Sequence, residues 1–386
     1  MRRSRFVILL ASLALAAAPL AAPLAAQGFP TLDGKIPPRP KLPAGLDTND
    51  AGAYHEWAIG HKVDWRQKYN AFWWALRLNP TNEAHRIALY QAVYYTRTPE
   101  WRWEYYDGAE FVVKSKEAKL LDTLATLTAL KDPFAHLTVR QCNLDADILA
   151  LNDPVITAMH YYEEGCFGQA AEKYVAAIQK RPKAIGLRID RARALVWSGQ
   201  PVAALAELQA TLDTLRARDT KRTARLYQSK EVLELMRGRI HEGQQDYFNA
   251  KKAYGKALEE NLAFYPAHAS LARVALAQKE IPEALQEYDQ AIQIYAKDGV
   301  LHDDYGEALL EAGRFEDAEK EFRRAIELEP YYATPQYNLG RALDRQGKAA
   351  EAVAQYEIYL ARAPKRQARM IAWANGRVTA LKTASK

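Results

Sequence analysis

Only two of the 386 residues are cysteine, which excludes a disulfide-rich scaffold. No CxxC pair occurs, so dithiol redox catalysis and paired-cysteine metal sites have no foothold. A dominant charge is lacking too. There are 53 Lys+Arg against 47 Asp+Glu, a net charge of +6, and three of the arginines lie in the first 26 residues, where there is no acid. The remainder is near balance at +3, and no motif that reads DNA or RNA is present. Nucleic acid is not an expected partner. Glycine-rich phosphate loops and nucleophile elbows are absent, and no cofactor is implied. His55 and His61 beside Glu56 superficially resemble a zinc helix, but they lie six positions apart instead of four, so their rings face different ways. His241, His268 and His302 fall on packing positions. No metal site is expected.

What is present begins with an address. Arg2, Arg3 and Arg5 precede the apolar run Phe6 to Leu15 and an Ala/Pro-rich stretch. These are the three parts of a secretory signal peptide, read here as residues 1–26 with cleavage after Ala26. Pro19 and Pro23 interrupt the run before membrane-spanning length, against an anchor. The mature chain is expected to be periplasmic or secreted, without a transmembrane segment. Cys142 and Cys166 could then form one bridge. Residues 27–48 hold five prolines and read as a Pro-rich extended linker.

The C-terminal half repeats. Ala352, Ala318, Ala284 and Ala250 recur at a spacing of 34, as do Tyr356, Phe322, Tyr288 and Tyr254. Gly340, Gly306, Ala272 and Gly238 form a third column, and Tyr359, Ala325, Ala291 and Ala257 a fourth. Upstream, Ala158, Ala170, Tyr174 and Ala177 match one unit, and Ala192, Ala204 and Leu208 the next. Each unit reads as two short amphipathic helices around a turn, and neither apolar stripe is wide enough to form a core alone. Small residues at the eighth and twentieth positions let the two helices approach. The aromatic at the twenty-fourth fills the space to the next unit.

This spacing resembles the tetratricopeptide repeat family, whose unit is a 34-residue helix-turn-helix. The resemblance covers 151–366 as six repeats: 151–184, 185–218, 231–264, 265–298, 299–332 and 333–366. An insertion at 219–230 reads as lengthening two neighbouring helices. It implies an all-α, right-handed α-solenoid, with 367–386 as a C-terminal capping helix and tail. Arg191 and Arg237 depart from the family's apolar seventh position, and Thr211 from a small apolar one.

Residues 49–150 are aromatic-rich and helical in character, and hold six of the eight tryptophans: Trp57, Trp65, Trp73, Trp74, Trp101 and Trp103. Phe72, Ala75 and Pro80 keep the 34-residue register, so degenerate repeats are expected here. Thr98, Pro99 and Glu100 read as a further helix start. A hairpin turning at Asp107-Gly108 is the rival reading of the stretch that follows. The tryptophans have two readings, core or a platform that stacks on glycans.

The resemblance also implies a concave groove lined by the first helices. Its ninth positions read Met159, Arg193, Arg239, Arg273, Glu307 and Arg341, and its sixth positions include Asp190, Ser270, Asp304 and Asn338. Forked guanidinium donors suit carboxylates and extended peptide backbones. The expected partner-binding residues are Arg193, Arg239, Arg273, Arg341, Asp304, Glu307 and Asn338. The expected function is a non-catalytic protein–protein interaction scaffold of the cell envelope, holding an extended peptide or partner protein. The alternatives are an accessory factor for polysaccharide or cell-wall assembly that binds glycans through 49–150, and an enzyme with an unrecognised site in 49–150.

Overall fold

A computed structural model describes residues 35–60, 64–95, 153–163, 165–219 and 229–384. Among them all regular structure is helical. The helices are α1 (Ala51–Gly60), α2 (Trp65–Leu78), α3 (Glu83–Tyr95), α4 (Pro154–Glu163), α5 (Phe167–Lys180), α6 (Ile185–Trp197), α7 (Pro201–Asp219) and α8 (Lys230–Gly243). There follow α9 (Tyr247–Glu260), α10 (Tyr265–Ala277), α11 (Ile281–Ile294), α12 (Gly299–Glu311), α13 (Phe315–Leu328), α14 (Thr334–Arg345), α15 (Ala349–Arg362) and α16 (Ala368–Ala384). The pairs α4–α5, α6–α7, α8–α9, α10–α11, α12–α13 and α14–α15 pack as helical hairpins, and α16 packs on α15. The described residues divide into two compact units, 153–262 and 35–95 with 263–384.

The turn inside each hairpin has one conformation with a local cause. Gly165, Gly199, Gly313 and Gly347 all have φ of +76°, and the equivalent Gln245 and Lys279 have +60° and +64°. In the left-handed region the amides that follow can turn back onto the ending helix. Arg314 N donates to Leu309 O at 2.9 Å and Glu280 N to Ala275 O at 2.9 Å, which satisfies carbonyls that the helix end leaves open.

In the unit of 153–262, the small positions Ala158, Ala170, Ala192 and Ala204 are fully buried, with Tyr174 and Leu208 filling the spaces between helices. The polar departures are paired. Glu207 accepts from Arg188 at 2.9 Å and also pairs with Arg191. Glu234, fully buried, accepts from Arg237 and from Arg216, each at 2.9 Å. A buried carboxylate persists only with such partners, so the seventh-position arginines are explained by acids on neighbouring turns. Thr211 is buried with its hydroxyl donating to Glu207 O at 2.7 Å. α7 has 19 residues and α8 has 14. Residues 220–228 lie outside the described set.

In the other unit, Ala284, Ala318 and Ala352 are fully buried beneath Tyr288, Phe322 and Tyr356. A Cβ on Gly306 or Gly340 would come within 2.5 Å or 2.6 Å of the Phe322 or Tyr356 ring. Full burial of one such aromatic contributes roughly 1.5–3 kcal/mol. The capping helix α16 buries Ala374 and Leu381. Its basic residues are partly engaged: Arg377 donates to both carboxylate oxygens of Asp344 (2.5 and 2.7 Å), and Lys382 to Glu357 at 2.7 Å.

The same unit holds α1–α3. The bounds of α2 and α3 equal those of α5 and α6 shifted back by three periods of 34, and Phe72 and Ala75 are buried. What the register did not indicate is where this hairpin packs. It meets the chain ends that follow the second helices of the last repeats. Arg77 pairs with Glu329 at 2.7 Å, Trp74 lies edge-on to Tyr331 at 4.9 Å, and Asp47 accepts from Lys365 N at 2.7 Å. The linker is extended over 35–43 but is not a free tether. Trp74 Nε1 donates to Pro37 O at 3.0 Å, and the Arg39 guanidinium lies 4.8 Å over the Trp74 ring.

Candidate partner-binding groove

The first helices α12 and α14 hold a connected polar group. Asp303 is buried and accepts from Asn338 Nδ2 at 3.0 Å. Asn338 Oδ1 accepts from Arg341 Nη1 at 3.2 Å, and that nitrogen lies 3.7 Å from Glu307 Oε1. Burial pushes the Asp303 carboxyl well above its ordinary range; the Asn338 donor opposes this, while Asp304 and Glu307 add to it. Burial likewise raises Glu307, against the pull of Arg341. Burial is also the main cause that raises the Tyr332 phenol, with Asp303 adding to it. Arg341 reaches over the Tyr337 ring at 5.9 Å, within cation–π range. The group therefore offers a guanidinium fork and a partly exposed carboxylate, with the buried Asp303 holding Asn338 in place, which suits a ligand with both carboxylate and basic groups.

The other expected residues divide. Arg273 and Asp304 are half-buried on α10 and α12. Ser270 turns inward, its hydroxyl donating to Pro266 O at 2.7 Å. In the unit of 153–262, Arg239 is half-buried on α8. Arg193 is buried and donates to Asp190 Oδ1 at 3.0 Å, so this pair serves the interior of that unit. Met159 belongs to the same core. Sequence reasoning missed Asp303. Its signal was the tandem Asp303-Asp304 in a first helix, where only one of two adjacent acids can face outward.

Trp73 and Trp74 are core residues, which removes them as a glycan platform. They sit beside Tyr331 and under the 35–43 segment, and burial of this kind was invisible in the local pattern. Trp101 and Trp103, the 98–100 helix start and the 107–108 turn lie outside the described residues. His268 and His302 each pair with a glutamate of the second helix in their own repeat, Glu287 at 2.7 Å and Glu321 at 2.6 Å. His55 Nδ1 lies 3.1 Å from His85 Nδ1. Among the described residues no group of three or more His, Cys, Asp or Glu could hold a metal ion, and no helix is long and apolar enough to cross a membrane. Cys166 is in a disulfide; Cys142 lies outside the described residues.

Residues 235–299 and 305–366 match the tetratricopeptide repeat family. An uncharacterized protein of Haemophilus influenzae is 32% identical over 83 residues, 22% of this chain. The chain spans about half the length of that relative, 46% of it. Among solved structures, the C-terminal part of a repeat-containing protein from Cytophaga hutchinsonii is 15% identical at a TM-score of 0.49, with 59% of this chain and 88% of that one covered. YrrB, described as a tetratricopeptide protein with an unusual peptide-binding site, is 19% identical at 0.42, covering 53% and 99%. The columns of buried alanines and aromatics occupy the matched residues, and over these residues the chain is a tetratricopeptide-repeat protein.

Proposed function

We propose that this chain is a non-catalytic scaffold of the cell envelope that holds an extended peptide or partner segment along its first helices. The observation that carries the reading is the Asp303–Asn338–Arg341–Glu307 group, which joins two successive repeats through two hydrogen bonds and an ion pair. Donors and acceptors at two levels of the array suit a backbone that runs across both. Arg273 on α10 extends the group by one repeat, and Arg239 is its half-buried counterpart in the other unit. The envelope location rests on Arg2, Arg3, Arg5 and the apolar run that follows.

Capture of partners from envelope extract by the mature chain, followed by mass spectrometry, tests the reading. Arg273→Ala with Arg341→Ala should reduce capture several-fold without lowering the unfolding midpoint. The control is Lys320→Ala with Arg324→Ala on the exposed face of α13. Each exposed contact is weak, so only several together give useful affinity. Equal capture by both double variants would remove the groove from the binding surface.

A further inference from the structure

The capping helix α16 presents an open groove of ≈ 540 Å³ beside the end of α14, lined by Asp344, Arg345, Ala372, Trp373, Gly376 and Arg377. The buried side of α16 is set by Ala374 and Leu381, and the groove lies on the other side. Two features there leave the surface open to a partner. Trp373 is 46% exposed, although its ring has edge-on contacts with Tyr337 at 5.4 Å and Tyr356 at 5.6 Å. Gly376 sits inside a helix, where glycine is less favourable than alanine. A Cβ placed on it would meet nothing within 4 Å. The space above Gly376 is therefore open enough for a foreign backbone to approach closely.

The rim specifies the charge of the occupant. From Lys365 to the end the sequence has no acid and six Lys/Arg, of which Arg366, Arg377 and Lys382 are paired with Asp50, Asp344 and Glu357. Arg345 and Arg369 are exposed and without an ion-pair partner among the described residues. Asp344, the one acid in the groove, is held by the bidentate Arg377. The geometry points to a docking site for an acidic amphipathic helix of a partner protein, with Trp373 as its apolar wall and Gly376 as its floor. Helix-in-groove recognition takes apolar anchors at helical spacing and charges on the flanks. A second copy of this chain would bring its own basic helix against this one, a like-charge encounter. Insertion into a membrane needs a broad bulky apolar face, and the exposed positions Ala372, Gly376 and Ala380 do not provide one. None of the groove's lining residues belongs to the Asp303–Arg341 group, so Gly376 tests this surface apart from that group.

The probe is a fluorescein-labelled stapled helix with a leucine stripe and otherwise glutamate, titrated into the mature chain by anisotropy. Its twin carries lysine in place of glutamate. The acidic helix should bind at least about 10-fold more tightly than the twin, and Trp373→Ala should weaken it about 10-fold, as loss of a central aromatic anchor does. Gly376→Leu should weaken it equally without lowering the thermal midpoint or the helical circular dichroism, because its Cβ enters open space and leucine favours the helix. Arg273→Ala with Arg341→Ala should leave this titration unaltered. Equal binding of both helices, or acidic-helix binding untouched by Gly376→Leu, overturns the proposal. A concentration-dependent dimer abolished by Gly376→Leu, or capture of phosphatidylglycerol vesicles that depends on Trp373, also overturns it by assigning the surface to another occupant.

Discussion

Arg77 on α2 places Nη1 2.7 Å from Glu329 Oε2, just after α13, with the two side chains 7% and 17% exposed. Arg77 Nη2 also donates to Leu328 O at 3.4 Å. Removing one member of so enclosed a pair leaves the other charge without compensation. Arg77→Met should therefore destabilise this unit by about 3 kcal/mol, read as a lower urea midpoint. Adding Glu329→Gln to the same chain should recover most of the loss. A single-variant loss under ~1 kcal/mol would show that water already compensates Glu329.

The left-handed turn gives a prediction of opposite sign. Lys279 has φ +64° where Gly313 and Gly347 have +76°. A side chain in this region costs roughly 1 kcal/mol that glycine does not incur. Lys279→Gly should raise stability by ~0.5–1 kcal/mol in a denaturant titration, although glycine usually destabilises. The same change at Gln245 should do likewise.

Ala284 is fully buried between α10 and α11 beneath Tyr288. Ala284→Leu should lower stability by ~1–3 kcal/mol through overpacking. Differential calorimetry that found an unchanged midpoint would mean the two helices are not in close contact there.

Two sets of buried groups should tilt the stability-versus-pH curve in opposite directions. Burial pushes His55 down to about 4 and His85 down to about 3, with His55 and Arg366 adding to the shift at His85. The unfolded chain binds protons below about 6.5 that the folded histidines refuse. Their contribution is therefore complete above 6.5 and lost as the pH falls towards 4. Asp303, raised by burial, keeps a proton that the unfolded chain has released above about 3.9. Its contribution is lost as the pH rises. Between pH 4.5 and 6 each group changes stability by at most ~1.4 kcal/mol per pH unit. His55→Gln with His85→Gln should make the slope of unfolding free energy against pH less positive. Asp303→Asn, which still offers an acceptor to Asn338, should make it more positive. Slopes unchanged in both variants would contradict these burials.

What the sequence by itself determined is the repeating hairpin. Helical period, small residues at close approaches and an aromatic every 34 residues act between neighbours in the chain, so Ala250, Ala284, Ala318 and Ala352 were identifiable as buried from spacing alone. Even α2 and α3 follow that register, because Phe72 and Ala75 fill the same local spaces. The tertiary structure alone decided the rest. Asp47 caps the Lys365 amide, Trp74 lies against Tyr331, and Arg77 pairs with Glu329 across more than half the chain. No periodicity links such residues, since they are brought together by the burial of whole surfaces and not by helical spacing. The same holds for the groove. Position numbers placed Arg193 and Arg341 in one column, but the Asp190 carboxylate draws the first into the interior, while Asn338 and Glu307 hold the second at the edge of solvent. Burial and the partner within reach differ between repeats of equal period, and those are properties of packing.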